Sequence, residues 1–441
     1  MTTSYLPYEP RQQQLLPAAL QDWLPEGHLA YYLSDTVDSL DLSAFHARYA
    51  GGGSRNQPFH PAMMVKVLVY GYATGVFSSR KLARKLHEDV AFRVLGAGNF
   101  PAHRTLSDFR VLHLKELAAL FVQVVKLARE CGLVKLGTIA IDGTKVKANA
   151  SRHKAMSYRR MEQAEAELKA QIDQLLARAK ATDAAERDEP ELDLPAEITR
   201  REARLAVIQA AKARLEARQR EADAARGRSA GDDRRPRHPD GTPKPGGNRY
   251  KREFGVPAPA DQESFTDPDS RIMKHAGGGF EQSYNAHTAV DAEHQLIVVA
   301  ELTNNAADGD RLPALLQAVA ANTGTLPQRT LADAGFRGEA TLAKVADLPV
   351  EVIVAVGREG RQQVAIDAAK YPHTAAMAAH LQTPPAKDAY RRRKAIVEPP
   401  NGWIKAVLGF RQFSLRGLKK VQAEWRLVCL ALNLRRMACL A

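Results

Sequence analysis

The stretch LGTIAIDGTKVKANAS (136–151) decides how the rest of the chain is read. Thr138, Ile139, Ala140 and Ile141 form a short apolar run, the pattern of a buried strand. The pair Asp142-Gly143 is a turn-type dipeptide expected to break it. A strand holds a carboxylate at its end in a fixed place, which suits a catalytic group, although a plain turn former gives the same pattern.

Upstream of this strand the chain reads as helical. Residues 62–75 (AMMVKVLVYGYATG) are strongly apolar. The segment 78–95 follows with Ser78 or Ser79 as N-cap, and Leu82, Leu86, Val90 and Val94 recur every fourth position beneath a basic outer face. Residues 103–131 give one or two more helices. Short helices with a basic member resemble a helix-turn-helix, so residues 1–130 are expected to be a helical DNA-binding domain; an ordinary bundle with a basic face is the plainer reading.

Downstream, residues 155–225 are predicted to be an inserted helical hairpin. Met161, Leu168, Ile172, Leu175 and Ala179 follow coiled-coil spacing, and Ile198, Leu205, Ile208 and Leu215 repeat it on the return. The Pro-containing acidic stretch 183–195 is the connector. Residues 226–275 begin as a Pro-, Gly- and charge-rich segment and are read as a basic loop. The α/β texture then returns. Strands are predicted at 281–291 and 294–304 around a tight turn at Ala292-Glu293, at 328–336 with Asp333 before a glycine turn, and at 350–356. Helices are predicted at 308–322, 338–346 and from about 391 onward. With the strand at 138–141 this makes a mixed five-stranded sheet flanked by helices, an α/β catalytic domain built from 131–154 and 276–441.

Composition narrows the partners. The 441 residues carry a net charge of +13. Between Arg391 and Ala441 stand twelve Lys/Arg against two Glu, so this tail holds +10 of the total. A concentrated basic block favours a polyanion, and a solvated basic helix is the bland alternative. Cys131, Cys429 and Cys439 form no C-x-x-C pair, indicate neither disulfides nor a zinc module, and are expected to be buried fillers. No signal layout and no membrane-length apolar run is present, so a cytoplasmic, nucleoid-associated bacterial protein is expected.

Asp142 and Asp333 close two predicted strands, and Glu398 opens a basic helix. Cleavage of DNA by water and joining by a 3′-hydroxyl are in-line displacements at phosphorus, for which two divalent ions about 3.5–4 Å apart meet the developing charge. Two strand-end aspartates and a helical glutamate are a sufficient hard-oxygen ligand set. Each acid taken alone is more often a structural residue than a catalytic one. The surroundings of Glu398 add weight: in YRRRKAIVEPPNGWIKAVLGFRQF (390–413), Lys394 and Lys405 lie four before and seven after it, on one helical face. Trp403 is expected in the core, with stacking on an exposed base as the second role.

At this point the chain resembles the DDE transposases of bacterial insertion sequences. The resemblance rests on 59–82, HRTLSDFR (103–110), AIDGTKVKANAS (140–151), SYNAHTAVD (283–291), LADAGFRGEATL (331–342) and 390–437. It covers nearly the whole chain apart from the arm and its loop. It implies a ribonuclease H-like catalytic domain; catalytic and metal-binding roles for Asp142, Asp333 and Glu398; two Mg2+ per site, with Mn2+ able to substitute; double-stranded DNA, both element ends and target, as partner; and a homodimer or higher assembly on DNA. The family's glutamate helix reads Tyr-x2-Arg-x3-Glu-x6-Lys. Glu398 and Lys405 fit it, whereas Arg391 holds the tyrosine position, with Tyr390 one residue early, and Lys394 the arginine position. Phosphate gripping by Arg is then expected to pass to Arg393. Pro399 and Pro400 bias Glu398 towards the helix start. Arg393, Lys394, Lys405, Arg411, Arg416 and Lys419 are the expected DNA contacts. A nonspecific nuclease, or a transposase-derived protein that binds DNA without cutting it, are the rival functions.

Overall fold

The computed structural model describes residues 19–49, 58–151, 154–184, 194–230, 242, 252–275, 277–357 and 366–441. Most of the 183–195 connector and most of the Pro/Gly-rich loop lie outside the described residues.

Among the described residues seven α-helices precede the first strand: α1 (Leu29–Ser39), α2 (Ser43–Ala47), α3 (Pro61–Ala73), α4 (Ser79–Glu88), α5 (Val90–Leu95), α6 (His103–Leu112) and α7 (Leu114–Glu130). The stretch 78–95 is therefore two helices rather than one. Asp89 takes an extended backbone (φ −122°, ψ 124°) and accepts from the Ala91 N–H at 3.1 Å, ending α4 and capping α5. α3 is apolar nearly all round because α1, α5 and the C-terminal helix α15 (Leu418–Ala438) all pack on it. The N-terminal helices and the sheet consequently share one hydrophobic core.

The strands among the described residues are β1 (Thr138–Lys147), β2 (Ala155–Ser157), β3 (Gln262–Ser264), β4 (Arg271–Lys274), β5 (Phe280–Asp291), β6 (Ile297–Thr303), β7 (Arg329–Ala332) and β8 (Glu351–Val354). β1 is central. It pairs antiparallel with β5 on one side and parallel with β7 on the other, and β8 continues the sheet beyond β7. β6 and β4 share the far edge of β5. The sheet is mixed and flanked by helices, and its order is compatible with a ribonuclease H-like fold.

Three details differ from the sequence reading. β1 is not broken at Asp142-Gly143, because both residues keep antiparallel partners, Thr288 and His287, on β5. The sheet has six strands rather than five. β4 falls in the stretch read as loop, since four residues of RIMK carry too little alternation to be seen, yet they pair with the start of β5. The turn between β5 and β6 is longer than two residues and includes Gln295 at φ +56°.

α8 (Tyr158–Ala184) and α9 (Leu194–Ala225) run back along each other between β1 and the rest of the sheet. Met161, Leu168, Ile208 and Leu215 fill their seam, and Lys212 and Gln209 both reach Glu165. At the base of this arm, buried Glu263 of β3 is gripped by Arg214 and Arg218. α10 (Leu312–Thr323) packs on β6 and α7, and α11 (Glu339–Ala346) on α10 and α12 (Pro372–His380). α13 (Pro384–Arg391) leads into α14 (Arg393–Gly402), which lies across β1 and β5. α15 covers the edge of β6: the Asn433 amide accepts from the Ile297 N–H at 2.9 Å and donates to the Ile297 carbonyl at 2.8 Å, replacing a strand neighbour. Of the three cysteines only Cys429 is the buried filler expected. Cys131 and Cys439 sit at helix ends and are exposed. No helix among the described residues is long and apolar enough to cross a membrane.

Candidate active site

The parallel pairing of β1 with β7 ends at Ile141 opposite Ala332. The next residues on the two strands are Asp142 and Asp333. The carboxylates come together because β7 stops there, while β1 continues on β5 alone. Asp333 turns the chain at once, accepting from the Gly335 N–H at 2.9 Å to start a short 3-10 turn, Ala334–Phe336. Asp142 accepts from the Gly143 N–H at 2.9 Å. Burial, and then the charge of Asp333, push the Asp142 carboxyl from 3.8 up to about 6; Arg393 pulls the other way.

α14 supplies the third side. Asn401 is buried, and its amide reaches the hydroxyl of Thr288, the residue opposite Asp142, at 3.4 Å. The Lys405 ammonium donates to the Thr144 hydroxyl, two residues past Asp142, and to the Lys145 carbonyl at 3.0 Å. Ile396, Val397, Pro400 and Asn401 are the buried side of α14, the side packed on β1 and β5. Glu398 itself is exposed, and it stands in mid-helix rather than at the start. Helix continues through the two prolines because the carbonyl that Pro399 cannot satisfy finds another donor: Gln295 gives its side-chain amide to the Ala395 carbonyl at 2.8 Å. The ladder then widens to a π turn, Trp403–Val407, closed by the Leu408 N–H on the Trp403 carbonyl at 2.9 Å.

Arg393 is 7% exposed, lies within electrostatic reach of Asp142 and stacks over the Tyr390 ring at 5.9 Å. Its Nε and one terminal nitrogen have no partner among the described residues. Lys394 is exposed. Arg411 and Arg416 are exposed too, each with Nε on a backbone carbonyl, Lys405 at 3.0 Å and Asn149 at 2.8 Å, and Lys419 is exposed on α15. Burial and the cations Lys405 and Lys147 hold His275 below the usual imidazole range, with Glu281 acting the other way. Trp403 is not in the core. It is 39% exposed, with the Arg435 guanidinium 5.1 Å above its ring.

The pair Asp142–Asp333 therefore forms, and Lys405 and Arg393 come to it. Among the described residues no three His, Cys, Asp or Glu side chains group closely enough to hold a metal ion, so Glu398 does not complete a triad in this arrangement. The donor chemistry of the pair still fits a hard divalent cation, since two adjoining carboxylates repel each other and the counter-charge near Asp142 leaves its carboxyl raised. Asp308 went unread in the sequence, where it passed as the first residue of a helix. Its carboxylate lies 2.8 Å from His287 Nε2 and accepts from Asn285 at 2.5 Å. Burial works to raise it, but His287, Lys145 and Asn285 together hold it below the usual carboxylate range. The only sequence signal was the polar run NNAADGD (304–310) after a strand.

Two family profiles match the chain. The one described as Transposase DDE domain covers residues 242–434, and the one described as Transposase domain (DUF772) covers 18–112. Asp333 and Glu398 fall within the first match, and Asp142 lies between the two. No curated protein matches, and no solved structure matches. Between them the two transposase profiles match most of the chain, and the pair is typical of the DDE transposases of bacterial insertion sequences.

Proposed function

We propose that this transposase binds the ends of its insertion sequence as double-stranded DNA, cuts there and joins the freed 3′ ends to target DNA. The observation that carries the reading is the meeting of Asp142 and Asp333 at the end of the β1–β7 pairing, beneath a helix that bears Glu398, Arg393 and Lys405. Asp142 and Asp333 would hold the divalent ions, Mg2+ with Mn2+ as substitute, and Glu398 would complete the set from the facing helix. Two such ions, when bound, stabilise the attacking and leaving oxygens of the in-line displacement. The chain's own residues do the rest. Arg393, with unmet donors in a buried setting, offers a fork for a phosphate next to Asp142. Lys405 keeps β1 and α14 in register while adding positive charge, and the exposed Lys394, Arg411, Arg416 and Lys419 offset the repulsion between the acids and a polyanion. The helices of the first 130 residues recognise the element ends, and the protein works as a dimer or larger assembly on DNA.

A cleavage assay on DNA carrying the element's ends, with Mg2+, tests this. Asp142→Asn, Asp333→Asn and Glu398→Gln should each abolish cutting while end binding persists. Binding without any cutting by the unaltered chain would favour a transposase-derived DNA-binding protein. Cutting that ignores the end sequence would favour a nonspecific nuclease.

A further inference from the structure

We propose that Asp308 is a further positioning residue of this site: it packs over the glycines that follow Asp142 and Asp333 and so sets the spacing of the two carboxylates. The inference rests on the reading of those two acids as metal-holding.

Gly143 pairs with His287, and Lys145 pairs with Asn285, so these side-chain positions share the sheet face opposite Asp142. Gly143 has no side chain, and the gap is filled by the Asp308 carboxylate. A Cβ on Gly143 would stand 2.9 Å from Asp308 Oδ1 and 3.1 Å from Asn285 Oδ1. A Cβ on Gly335 would stand 3.2 Å from Asp308 Oδ2 and 2.9 Å from Asp333 Oδ1. One carboxylate thus fills the space that a side chain would need at both glycines, one oxygen at each.

Its own position is fixed. Oδ1 accepts from Asn285 Nδ2 at 2.5 Å and lies 2.8 Å from His287 Nε2, with the Lys145 ammonium at 3.9 Å. Asn285 and His287 are fully buried. The loop carrying Asp308 is also tied to the segment after Asp333, where the Thr341 hydroxyl donates to the Gly309 carbonyl. Buried polar groups in this quantity are costly unless paired, and here their shared partner is Asp308.

The experiment is Mn2+ binding to the full chain without DNA, followed by the electron paramagnetic resonance of free Mn2+, alongside thermal unfolding and cleavage at graded Mn2+. Asp308→Asn keeps the shape and folds. It should weaken Mn2+ binding about tenfold or more, the usual cost of losing a partner that orients metal ligands, and saturating Mn2+ should restore cleavage. Gly143→Ala, which displaces the same carboxylate, should do likewise, and Asp142→Asn should remove binding. If Asp308→Asn binds Mn2+ like the unaltered chain while Asp142→Asn does not, the positioning role is overturned. A cleavage loss that saturating Mn2+ does not restore overturns it too, leaving Asp308 a purely structural residue. If Asp142→Asn binds Mn2+ normally, the metal reading of the acid pair fails and the proposal falls with it.

Discussion

Asp142 and Asp333 stand on the same rung of two neighbouring parallel strands, each one residue beyond the last paired couple, Ile141 and Ala332. Burial of Asp142, and then the charge of Asp333 beside it, give the fold a standing electrostatic cost. The Asp142 carboxyl titrates near 3.8 when unperturbed and at about 6 in the folded chain. The folded state therefore holds this proton more tightly. The stabilisation is complete below about pH 3.8 and is lost as pH rises through 6. Above that, ionised Asp142 costs about 3 kcal/mol. Asp142→Asn should be more stable than the unaltered chain by that order at pH 7.5, with the difference closing towards pH 4, and it should cut DNA about a thousandfold more slowly. Urea unfolding at both pH values decides the first part. Equal stability at pH 7.5 would show that the pair is not strained.

Arg393 and Lys394 are neighbours in sequence with different surroundings. Arg393 is buried beside Asp142 and lowers its pKa; Lys394 is exposed. Arg393→Gln should move the acidic limb of the pH–cleavage profile upward, since the opposing charge is gone. Lys394→Gln should leave the limb in place and weaken DNA binding slightly. Equal shifts for both would mean that Arg393 does not act through Asp142.

The sequence made the core of this site legible because strands announce buried carboxylates. The apolar run before Asp142 and the one before Asp333 put both residues in place, and parallel pairing joined them. What it concealed depended on partners distant in the chain. The double proline after Glu398 signals a helix start on local grounds, yet Gln295, about a hundred residues earlier, rescues the Ala395 carbonyl and lets the helix run on. Asp142-Gly143 signals a turn, yet β5 pairs through it. Trp403 suits a core in isolation, but the π turn carries it to the surface under Arg435. Asp308 had no periodic context, so only its contacts with Asn285 and His287 single it out.

Glu424 ties the N-terminal helices to the basic loop that follows α14. It is 1% exposed, and its carboxylate accepts from the Ser414 and Leu415 N–H groups, each at 3.0 Å, and from the Tyr72 hydroxyl at 3.2 Å, with Arg110 at 4.0 Å. Glu424→Ala leaves the Arg110 charge buried and without its counter-ion, and should destabilise the protein by about 3–5 kcal/mol. Glu424→Gln retains part of the hydrogen bonding and should cost less. Chemical unfolding of the two variants is the measurement, and equal losses would show that charge plays no part in the junction.

That junction matters for DNA because the loop it anchors presents Arg411 and Arg416. The loop is laid along the end of β1 by two hydrogen bonds: the Phe413 N–H donates to the Lys147 carbonyl at 2.9 Å, and the Asn149 side-chain amide donates to the Ser414 carbonyl at 2.7 Å. Two exposed guanidiniums are thereby held on the side of the sheet where Lys405 approaches Asp142. Phosphate neutralisation releases counter-ions, so each such contact adds about 0.9 to the slope of log affinity against log salt. Replacing Arg411, Arg416 and Lys419 together by Ala should lower that slope by roughly 2–3 and weaken binding almost equally for all sequences, because phosphate contacts position DNA without reading it. Lys405→Ala should change the slope less than Arg411→Ala, since the Lys405 ammonium is already bound to Thr144 and the Lys145 carbonyl. Fluorescence anisotropy with labelled end and random duplexes over a salt series measures both. An unchanged slope in the triple variant would place the DNA path away from this loop.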